Sequence, residues 1–189
     1  MADNPAIHDD IKTTKPIVMI GLMGAGKSRI GRELAAKLNL PFVDADDEIV
    51  KAAGCSISDI FELYGEEAFR DVEKSVICRL LEDNGKIIST GGGAFMNNEI
   101  RRAIVENGIS IWLRAELDVL VERTGRRGGR PLLENGDSKE ILQGLMDERY
   151  PVYAEADIVI DSQDVPIDAT VNETADALTN FIANENNDE

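Results

Sequence analysis

Histidine and cysteine are scarce in this sequence, and long apolar runs are missing. The one histidine, His8, lies in a polar N-terminal stretch, which excludes Ser-His-Asp catalysis and a histidine-rich metal site in the body of the fold. The two cysteines, Cys55 and Cys78, form no CxxC pair and no dense disulfide pattern, so we expect both to be reduced. No apolar run reaches the roughly 18 residues of a membrane-spanning helix. Because no secretory signal is found, we expect a cytoplasmic protein.

Positive charge is also scarce, since 20 Lys and Arg residues face 36 Asp and Glu residues, for a net charge of -16. An acidic surface repels polyanions, so we expect no binding to nucleic acid or to an anionic membrane. A site for an anionic ligand would have to concentrate the few cations in one place.

The composition is globular, 43% hydrophobic and 30% charged, and the length suits one α/β domain. Apolar periodicity predicts alternating strands and helices, and hence a mostly parallel sheet covered on both faces. We expect a flexible arm over residues 1–15, one domain over 16–183 with a mobile lid at about 124–136, and an acidic tail over 184–189. The predicted strands cover residues 17–20, 41–43, 86–89, 109–113 and 157–161. The predicted helices cover residues 28–38, 46–53, 58–82, 99–106, 116–123, 139–150 and 167–183. The patterns over 46–53 and 58–82 are broken at Gly54 and Gly65.

The segment GLMGAGKS at residues 21–28 follows a buried apolar strand and opens an amphipathic helix. It fits the GxxxxGK[ST] pattern, in which glycine backbone amides and the helix N-terminus surround phosphate oxygens. Lys27 would reach the β- and γ-phosphates of a nucleoside triphosphate, and the Ser28 hydroxyl would bind Mg²⁺. A glycine-rich turn without a ligand is the alternative, but it leaves Lys27 poorly explained.

Two acids, Asp44 and Asp46, follow the second predicted strand in the segment FVDADDEI. An extended chain would send both carboxylates to one side, where they could serve Mg²⁺ and a substrate hydroxyl. The alternative is that Asp46 or Asp47 caps the next helix.

Several cations and glycines also allow two interpretations. Arg70 could form a surface ion pair with Glu73, or it could bind an anion while Glu73 orients it. Arg149 could cap a helix C-terminus or bind an anion. The glycines at 91–93 could form a permissive turn or let a ligand approach bare backbone. Four arginines between residues 123 and 130 lie where a closing lid would deliver them to a transferring phosphoryl group.

Together these segments resemble the shikimate kinase family, which has a fold like that of nucleoside monophosphate kinases. The resemblance rests on GLMGAGKS, FVDADDEI, SISDIFELYGEEAFRDVE, STGGGA, RPLL and ERYPVYAEAD, in this order. It implies an α/β fold of three layers, with a five-stranded parallel sheet in the order 2-3-1-4-5. It also implies phosphorylation of the 3-hydroxyl of shikimate by ATP with Mg²⁺, in chorismate and aromatic amino-acid biosynthesis. We expect the chain to act as a monomer.

The resemblance implies a role for each candidate residue. The shikimate-binding residues would be Asp46, Arg70, Gly92, Gly93 and Arg149, with the two arginines on the carboxylate. The nucleotide-binding residues would be Gly24, Ala25, Gly26, Lys27, Ser28, Arg29, Arg123 and Arg130. Of these, Arg123 would stack on adenine. The catalytic residues would be Asp46, Lys27 and Arg130. Mg²⁺ would be served by Ser28 and, through water, by Asp44.

The sequence departs from the family pattern at a few nucleotide-side positions. Arg29 stands where a small hydroxyl residue is more common, residues 163–166 match the base-binding loop only loosely, and either Arg126 or Arg127 could face the nucleotide. The alternatives are a kinase for gluconate or a nucleoside monophosphate, and a nucleotide-binding regulatory module without an acceptor. The acids after the second strand, together with Arg70 and Arg149, favour a kinase because an ATP sensor needs no acceptor site.

Overall fold

The computed structural model describes residues 13–125 and 137–185, in which strands alternate with helices. The strands are β1 (Ile17–Ile20), β2 (Phe42–Asp44), β3 (Ile87–Ser89), β4 (Ile109–Arg114) and β5 (Ile158–Asp161). The helices are α1 (Lys27–Lys37), α2 (Ala45–Ala53), α3 (Ile57–Glu82), α4 (Asn98–Asn107), α5 (Leu117–Gly125), α6 (Ser138–Tyr153) and α7 (Ile167–Glu185), with a short 3-10 helix at Ala94–Met96. The boundaries agree closely with the predicted ones, except at the end of α6.

The strands form one parallel sheet in the order β2-β3-β1-β4-β5, which confirms the predicted order. β1 lies at the centre, where Ile17 pairs with Ile87 of β3 and with Ile109 of β4. Every residue of β1 is buried, as expected for a parallel sheet with both faces covered. The carboxyl ends of β1, β2 and β3 are therefore adjacent, and the loops that follow them meet at one edge of the sheet.

α2 follows β2 without a loop, and Asp44 is the residue that caps it. The Asp44 side chain accepts a hydrogen bond from the Asp46 amide at 3.1 Å, which satisfies one free N–H of the first turn. The alternative in which Asp46 or Asp47 caps this helix was therefore wrong. Asp44 and Asp46 also do not share an extended chain, because Asp46 already belongs to the first turn of α2. Several acids in that turn favour this early start of the helix.

Glycines end α2 and bend α3. Gly54 follows α2 with a φ of 71°, and Gly65 interrupts α3 with a φ of 85° and a ψ of 175°. Between them, Ser56 and Asp59 form a capping box that starts α3. Side chains other than hydrogen are strained at such positive φ angles, so the two predicted breaks are confirmed and have a backbone cause.

α6 continues through Pro151 to Tyr153, and the prediction that it ends at Tyr150 was wrong. Proline disfavours a helix because it lacks an N–H group and restricts the residue before it. Here the added turn buries Tyr153 completely, and its ring packs near Phe95 and Trp112. This tertiary packing offsets the cost of the proline.

Three smaller features complete the description. Cys55 and Cys78 are both free thiols. Within residues 13–125 and 137–185, no helix combines the length and the apolar character needed to cross a membrane. Most of the predicted arm, lid and tail falls on residues 1–12, 126–136 and 186–189, which lie outside the described residues.

Candidate active site

The loop between β1 and α1 has the backbone geometry of a phosphate-binding loop. Gly21, Gly24 and Gly26 have positive φ angles of 141°, 85° and 100°. A Cβ on Gly21 would lie only 2.7 Å from the Leu113 carbonyl oxygen, so no other residue fits there. Gly26 is the N-cap of α1, and the N-terminus of a helix favours an anion through its backbone amides and its dipole. Lys27 lies over this loop, where its Nζ donates to the Gly21 carbonyl oxygen at 2.8 Å.

Ser28 and Asp44 are hydrogen-bonded to each other between α1 and β2. Ser28 Oγ donates to Asp44 Oδ2 at 2.7 Å and lies 3.1 Å from Ser89 Oγ. Oxygen atoms of this kind are the ligands that Mg²⁺ prefers, and Mg²⁺ is usually held by one or two carboxylates plus substrate phosphates. In the described part of the chain, no group of three or more His, Cys, Asp and Glu residues could hold a metal ion. The Ser28 hydroxyl and the Asp44 carboxylate fit a Mg²⁺ ion that takes its other ligands from nucleotide phosphates and water.

Asp46 borders the cleft between the phosphate-binding loop and the glycines at 91–93. Burial and the nearby Asp44 carboxylate raise the pKa of Asp46 above the ordinary aspartate value, although the Lys27 ammonium opposes them. A raised pKa makes a carboxylate a stronger base near neutral pH. Asp46 is therefore suited to accept a proton from a substrate hydroxyl.

Arg70 of α3 is held by acidic side chains. Its Nη1 donates to Glu73 Oε2 at 2.8 Å, and its Nη2 donates to Glu66 Oε1 at 3.1 Å. The Glu73 side chain is only 2% exposed, so the pair is not the surface interaction that remained possible from sequence. Burial raises the pKa of Glu73, while the hydrogen bond and charge of Arg70 lower it. These contacts fix the guanidinium beside Gly93, which agrees with the orienting role of Glu73.

Charged groups from α2, α3 and α6 lie beside the glycines at 91–93, and Asp46 Oδ1 is 3.4 Å from the place of a Cβ on Gly91. The distances from the place of a Cβ are 3.1 Å from Gly91 to Glu73 Oε1, 3.4 Å from Gly92 to Arg149 Nη1, and 2.8 Å from Gly93 to Arg70 Nη1. A side chain at Gly91 or Gly93 would displace its neighbour. The glycines therefore do more than form a permissive turn, because they let two arginines and a buried acid approach the backbone.

Arg149 does not cap α6, which ends four residues later at Tyr153. Its Nε is buried and donates to no partner in the described part of the chain. A buried donor without a partner costs about 1–3 kcal/mol, and more when it is charged, so this guanidinium suits an anionic ligand. Arg149 and Arg70 lie against the neighbouring glycines Gly92 and Gly93. The two cations are therefore close enough to act on one carboxylate.

The cleft has a volume of about 760 Å³ and extends from the phosphate-binding loop to residues 162–167. Arg123 of α5 borders it and donates to Ser162 Oγ at 2.8 Å and to the Gln163 carbonyl oxygen at 2.6 Å. Ser162 Oγ in turn donates to the Ala25 carbonyl oxygen at 2.8 Å. This chain of hydrogen bonds ties the far end of the cleft to the phosphate-binding loop.

Comparisons with known proteins identify the family. The sequence profile described as Shikimate kinase matches residues 23–179. The curated shikimate kinase of Brucella canis is 56% identical over 151 residues, which cover 80% of this chain and 76% of that protein. The chain belongs to the shikimate kinase family.

Solved structures agree with this family. A structure described as shikimate kinase from Acinetobacter baumannii in complex with shikimate has a TM-score of 0.81 and 32% identity, covering 91% of this chain and 94% of its own. A gluconokinase from Sinorhizobium meliloti shares only the fold, with a TM-score of 0.62 and 18% identity over 92% of this chain and 97% of its own. Membership in the shikimate kinase family confirms the resemblance, the fold class and the prediction of a kinase that uses ATP.

The structure brings most of the predicted site residues of this shikimate kinase family member together. Those that line the cleft are Gly24, Gly26, Lys27, Ser28, Arg29, Asp44, Asp46, Gly92 and Arg123. Ala25 joins them through its bond to Ser162, and Arg70, Gly93 and Arg149 through the glycine contacts. The predictions for Arg126, Arg127 and Arg130 lie outside the described residues.

Sequence reasoning missed three residues of the shikimate kinase site. Ser89 lies within hydrogen-bonding distance of the phosphate-loop serine, Ser162 joins α5 to that loop, and the Tyr153 hydroxyl donates to the Gly92 carbonyl oxygen. The positions of these three residues in the sequence could have identified them as candidates. Ser89 ends one strand and Ser162 follows another, where ligand-binding residues concentrate, and Tyr153 follows Arg149 by one helical turn.

Proposed function

We propose that this chain transfers the γ-phosphoryl group of ATP to the 3-hydroxyl of shikimate, a step in chorismate and aromatic amino-acid biosynthesis. Family membership supports the reaction. The observation that carries its assignment to this site is the meeting of Asp46, Arg70 and Arg149 at the glycines 91–93, beside the phosphate-binding loop. A nucleotide-binding regulator would need only that loop, so the second set of residues supports an enzyme with an acceptor.

The shikimate carboxylate binds to Arg70 and Arg149 in this proposal. A guanidinium offers two parallel N–H groups that match a carboxylate. Arg70 is already oriented by Glu66 and Glu73, and the buried Nε of Arg149 has no partner among the described residues. A bound carboxylate would supply that missing acceptor and compensate two cations that lie close together.

The shikimate 3-hydroxyl binds to Asp46, which orients it and accepts its proton. The raised pKa of Asp46, caused first by burial and then by Asp44, supports this role, because a general base works best with a pKa near the working pH. Gly92 and Gly93 would offer backbone contacts to the ring, since neither has a side chain to block it.

The donor side of the cleft holds the nucleotide. Lys27 would neutralise charge on the transferring phosphoryl group, and Arg130 would add a second cation there, so that positioning and charge stabilisation supply most of the rate enhancement. Ser28 and Asp44 would hold Mg²⁺, which neutralises charge on the phosphate oxygens when bound. Arg123, anchored by the loop that follows β5, would stack on adenine.

An acceptor panel tests the proposal against a gluconate kinase and against a nucleoside monophosphate kinase. ADP release is measured with shikimate, gluconate or AMP as acceptor, with Mg²⁺ present or removed by excess chelator. We expect kcat/KM for shikimate to exceed that for the other two by about 100-fold or more, and activity to be lost without Mg²⁺. Phosphorus NMR of the product would locate the phosphate on the 3-oxygen. Preference for gluconate, or ADP release that no acceptor accelerates, would contradict the proposal.

The chain acts as a monomer in the cytoplasm in this proposal. The site supports a monomer because every group assigned to shikimate, and every described group assigned to ATP, comes from one chain. Light scattering during size-exclusion chromatography should give a mass near the 20.7 kDa of a single chain. A mass twice as large at assay concentrations would refute the monomer without affecting the assigned reaction.

A further inference from the structure

Tyr153 is a buried polar residue to which the proposed reaction assigns no role. It ends α6 and is fully buried, with its ring centroid 5.9 Å from that of Trp112 and 6.4 Å from that of Phe95. Its hydroxyl donates a hydrogen bond to the Gly92 carbonyl oxygen. A side chain needed only for packing would not require a hydroxyl at this place.

The bond to Gly92 determines how the next peptide group is oriented. The described peptide bonds are all trans, so the Gly93 N–H points away from the Gly92 carbonyl oxygen of the same peptide, and hence away from Tyr153. The amides of Gly92 and Gly93 donate to no residue of the described chain. Because consecutive glycines have wide backbone freedom, this orientation needs an external restraint, and the Tyr153 hydroxyl supplies one.

Arg149 is linked to the same restraint. It precedes Tyr153 by four residues, so the two side chains share one face of α6. Arg149 Nη1 lies 3.4 Å from the place of a Cβ on Gly92. One turn of α6 therefore approaches Gly92 in two ways, because the Tyr153 hydroxyl contacts its carbonyl oxygen and the Arg149 guanidinium lies beside the place of its Cβ.

We infer that Tyr153 is a positioning residue for the acceptor. Its hydroxyl orients the Gly92–Gly93 peptide so that the Gly93 amide is available to shikimate, and it fixes the distance between that amide and the Arg149 guanidinium. The inference rests on the proposed function, because it concerns the binding of shikimate at the same site.

The protonation of Tyr153 is compatible with this role. Burial raises the pKa of Tyr153 to about 12, although the charge of Arg149 opposes the increase. The hydroxyl therefore keeps its proton at ordinary assay pH and can donate throughout. Removal of the hydroxyl should then have the same effect at pH 6.5 as at pH 8.5, both well below the pKa.

Two tyrosine variants form a matched test. Tyr153→Phe removes the bond to Gly92, and Tyr150→Phe removes an equivalent bond from the same aromatic cluster to the Ala115 carbonyl oxygen. For Tyr153→Phe we expect the shikimate KM to rise about fivefold, as for the loss of one neutral hydrogen bond, with the ATP KM and kcat within about twofold. Tyr150→Phe should leave the shikimate KM unchanged.

The outcomes separate the inference from the proposed function. Equal shikimate KM values for the two variants, or equal increases in the shikimate and ATP KM of Tyr153→Phe, would overturn the role of Tyr153 while wild-type turnover of shikimate persists. A wild-type protein that shikimate does not activate would refute the proposed function instead. Should Tyr153→Phe fail to fold, wild-type protein labelled with ¹⁵N-glycine still provides a test. Shikimate should shift the Gly93 amide proton downfield, and an unchanged resonance at saturation would overturn the inference.

Discussion

Individual arginines of this chain differ in what surrounds them, and this difference predicts their effect on shikimate binding. Arg70 and Arg149 lie against the glycines of the acceptor site, whereas Arg79 is an exposed residue of α3 that pairs with Glu48. We expect Arg70→Ala and Arg149→Ala each to raise the shikimate KM by about tenfold or more, as charged hydrogen bonds are lost, with little change in the ATP KM. Initial rates over a grid of both substrates measure this. Arg79→Ala is the control, and an unchanged shikimate KM in both site variants would remove the carboxylate role.

Lysines on α1 give a second comparison at the scale of single residues. Lys27 lies on the phosphate-binding loop, and Lys37 is exposed in the last turn of the same helix. We expect Lys27→Ala to lower kcat by ~100-fold or more, because it removes charge stabilisation at the transition state, while Lys37→Ala keeps wild-type kcat. Circular dichroism establishes that both variants are folded. Arg130→Ala should also lower kcat by ~100-fold or more, and wild-type turnover by either active-site variant would refute its assigned role.

At the scale of elements, features that depend on neighbouring residues in the sequence could be predicted, whereas contacts between elements could not. The phosphate-binding loop and the breaks at Gly54 and Gly65 depend on backbone angles that local sequence dictates. The double role of Asp44, which caps α2 and accepts a hydrogen bond from Ser28, needs two elements to meet. So does the passage of α6 through Pro151, where distant aromatic side chains outweigh local helix propensity.

Two helix glycines should respond in opposite ways to the same substitution. Gly65 has a φ of 85° and a ψ of 175°, a region that alanine occupies only with strain, so Gly65→Ala should lower the free energy of unfolding by roughly 1–3 kcal/mol. Gly144 lies within α6, where a Cβ would meet no atom of the described residues within 4 Å beyond the backbone of its own helix. Gly144→Ala should raise the free energy of unfolding by about 0.4–1 kcal/mol, because it restricts the unfolded chain. Urea denaturation of both variants measures these changes, and stabilisation by Gly65→Ala would show that the bend is not strained for other residues.

At the scale of the whole molecule, periodicity predicted which segments are strands and helices but not which strands are neighbours. The order of the strands in the sheet was predicted only from the family resemblance. A buried strand such as β1 has apolar residues on both faces, and its sequence does not specify which strands lie next to it. The burial of charged residues could not be predicted from the sequence either. The helical pattern allows Glu73 to be an exposed partner of Arg70, and the packing of α3 against the glycines at 91–93 makes it a buried acid.

The raised pKa of Asp46 should cost this protein stability at neutral pH, and this cost can be measured. Because the folded-state pKa of Asp46 is raised, the protonated form is favoured in the folded protein, and stability from this group is lost as pH rises through that pKa. At neutral pH, Asp46→Asn should therefore lower kcat by ~100-fold or more yet raise Tm. The gain in Tm should shrink as pH falls toward the ordinary aspartate pKa, where the wild-type side chain is also neutral.

Asp168 provides the matched control for that gain. It lies in the first turn of α7, as Asp46 lies in the first turn of α2, and both are exposed, but Asp168 does not border the cleft. An acid in the first turn of a helix is favoured by about 0.3–1 kcal/mol, so Asp168→Asn should lower Tm slightly and leave kcat unchanged. Thermal unfolding of both variants across a pH series measures the contrast. If Asp46→Asn lowers Tm at neutral pH as Asp168→Asn does, then the favourable interaction of Asp46 with the helix N-terminus outweighs the effects that raise its pKa, and this acid does not lower the stability of the fold.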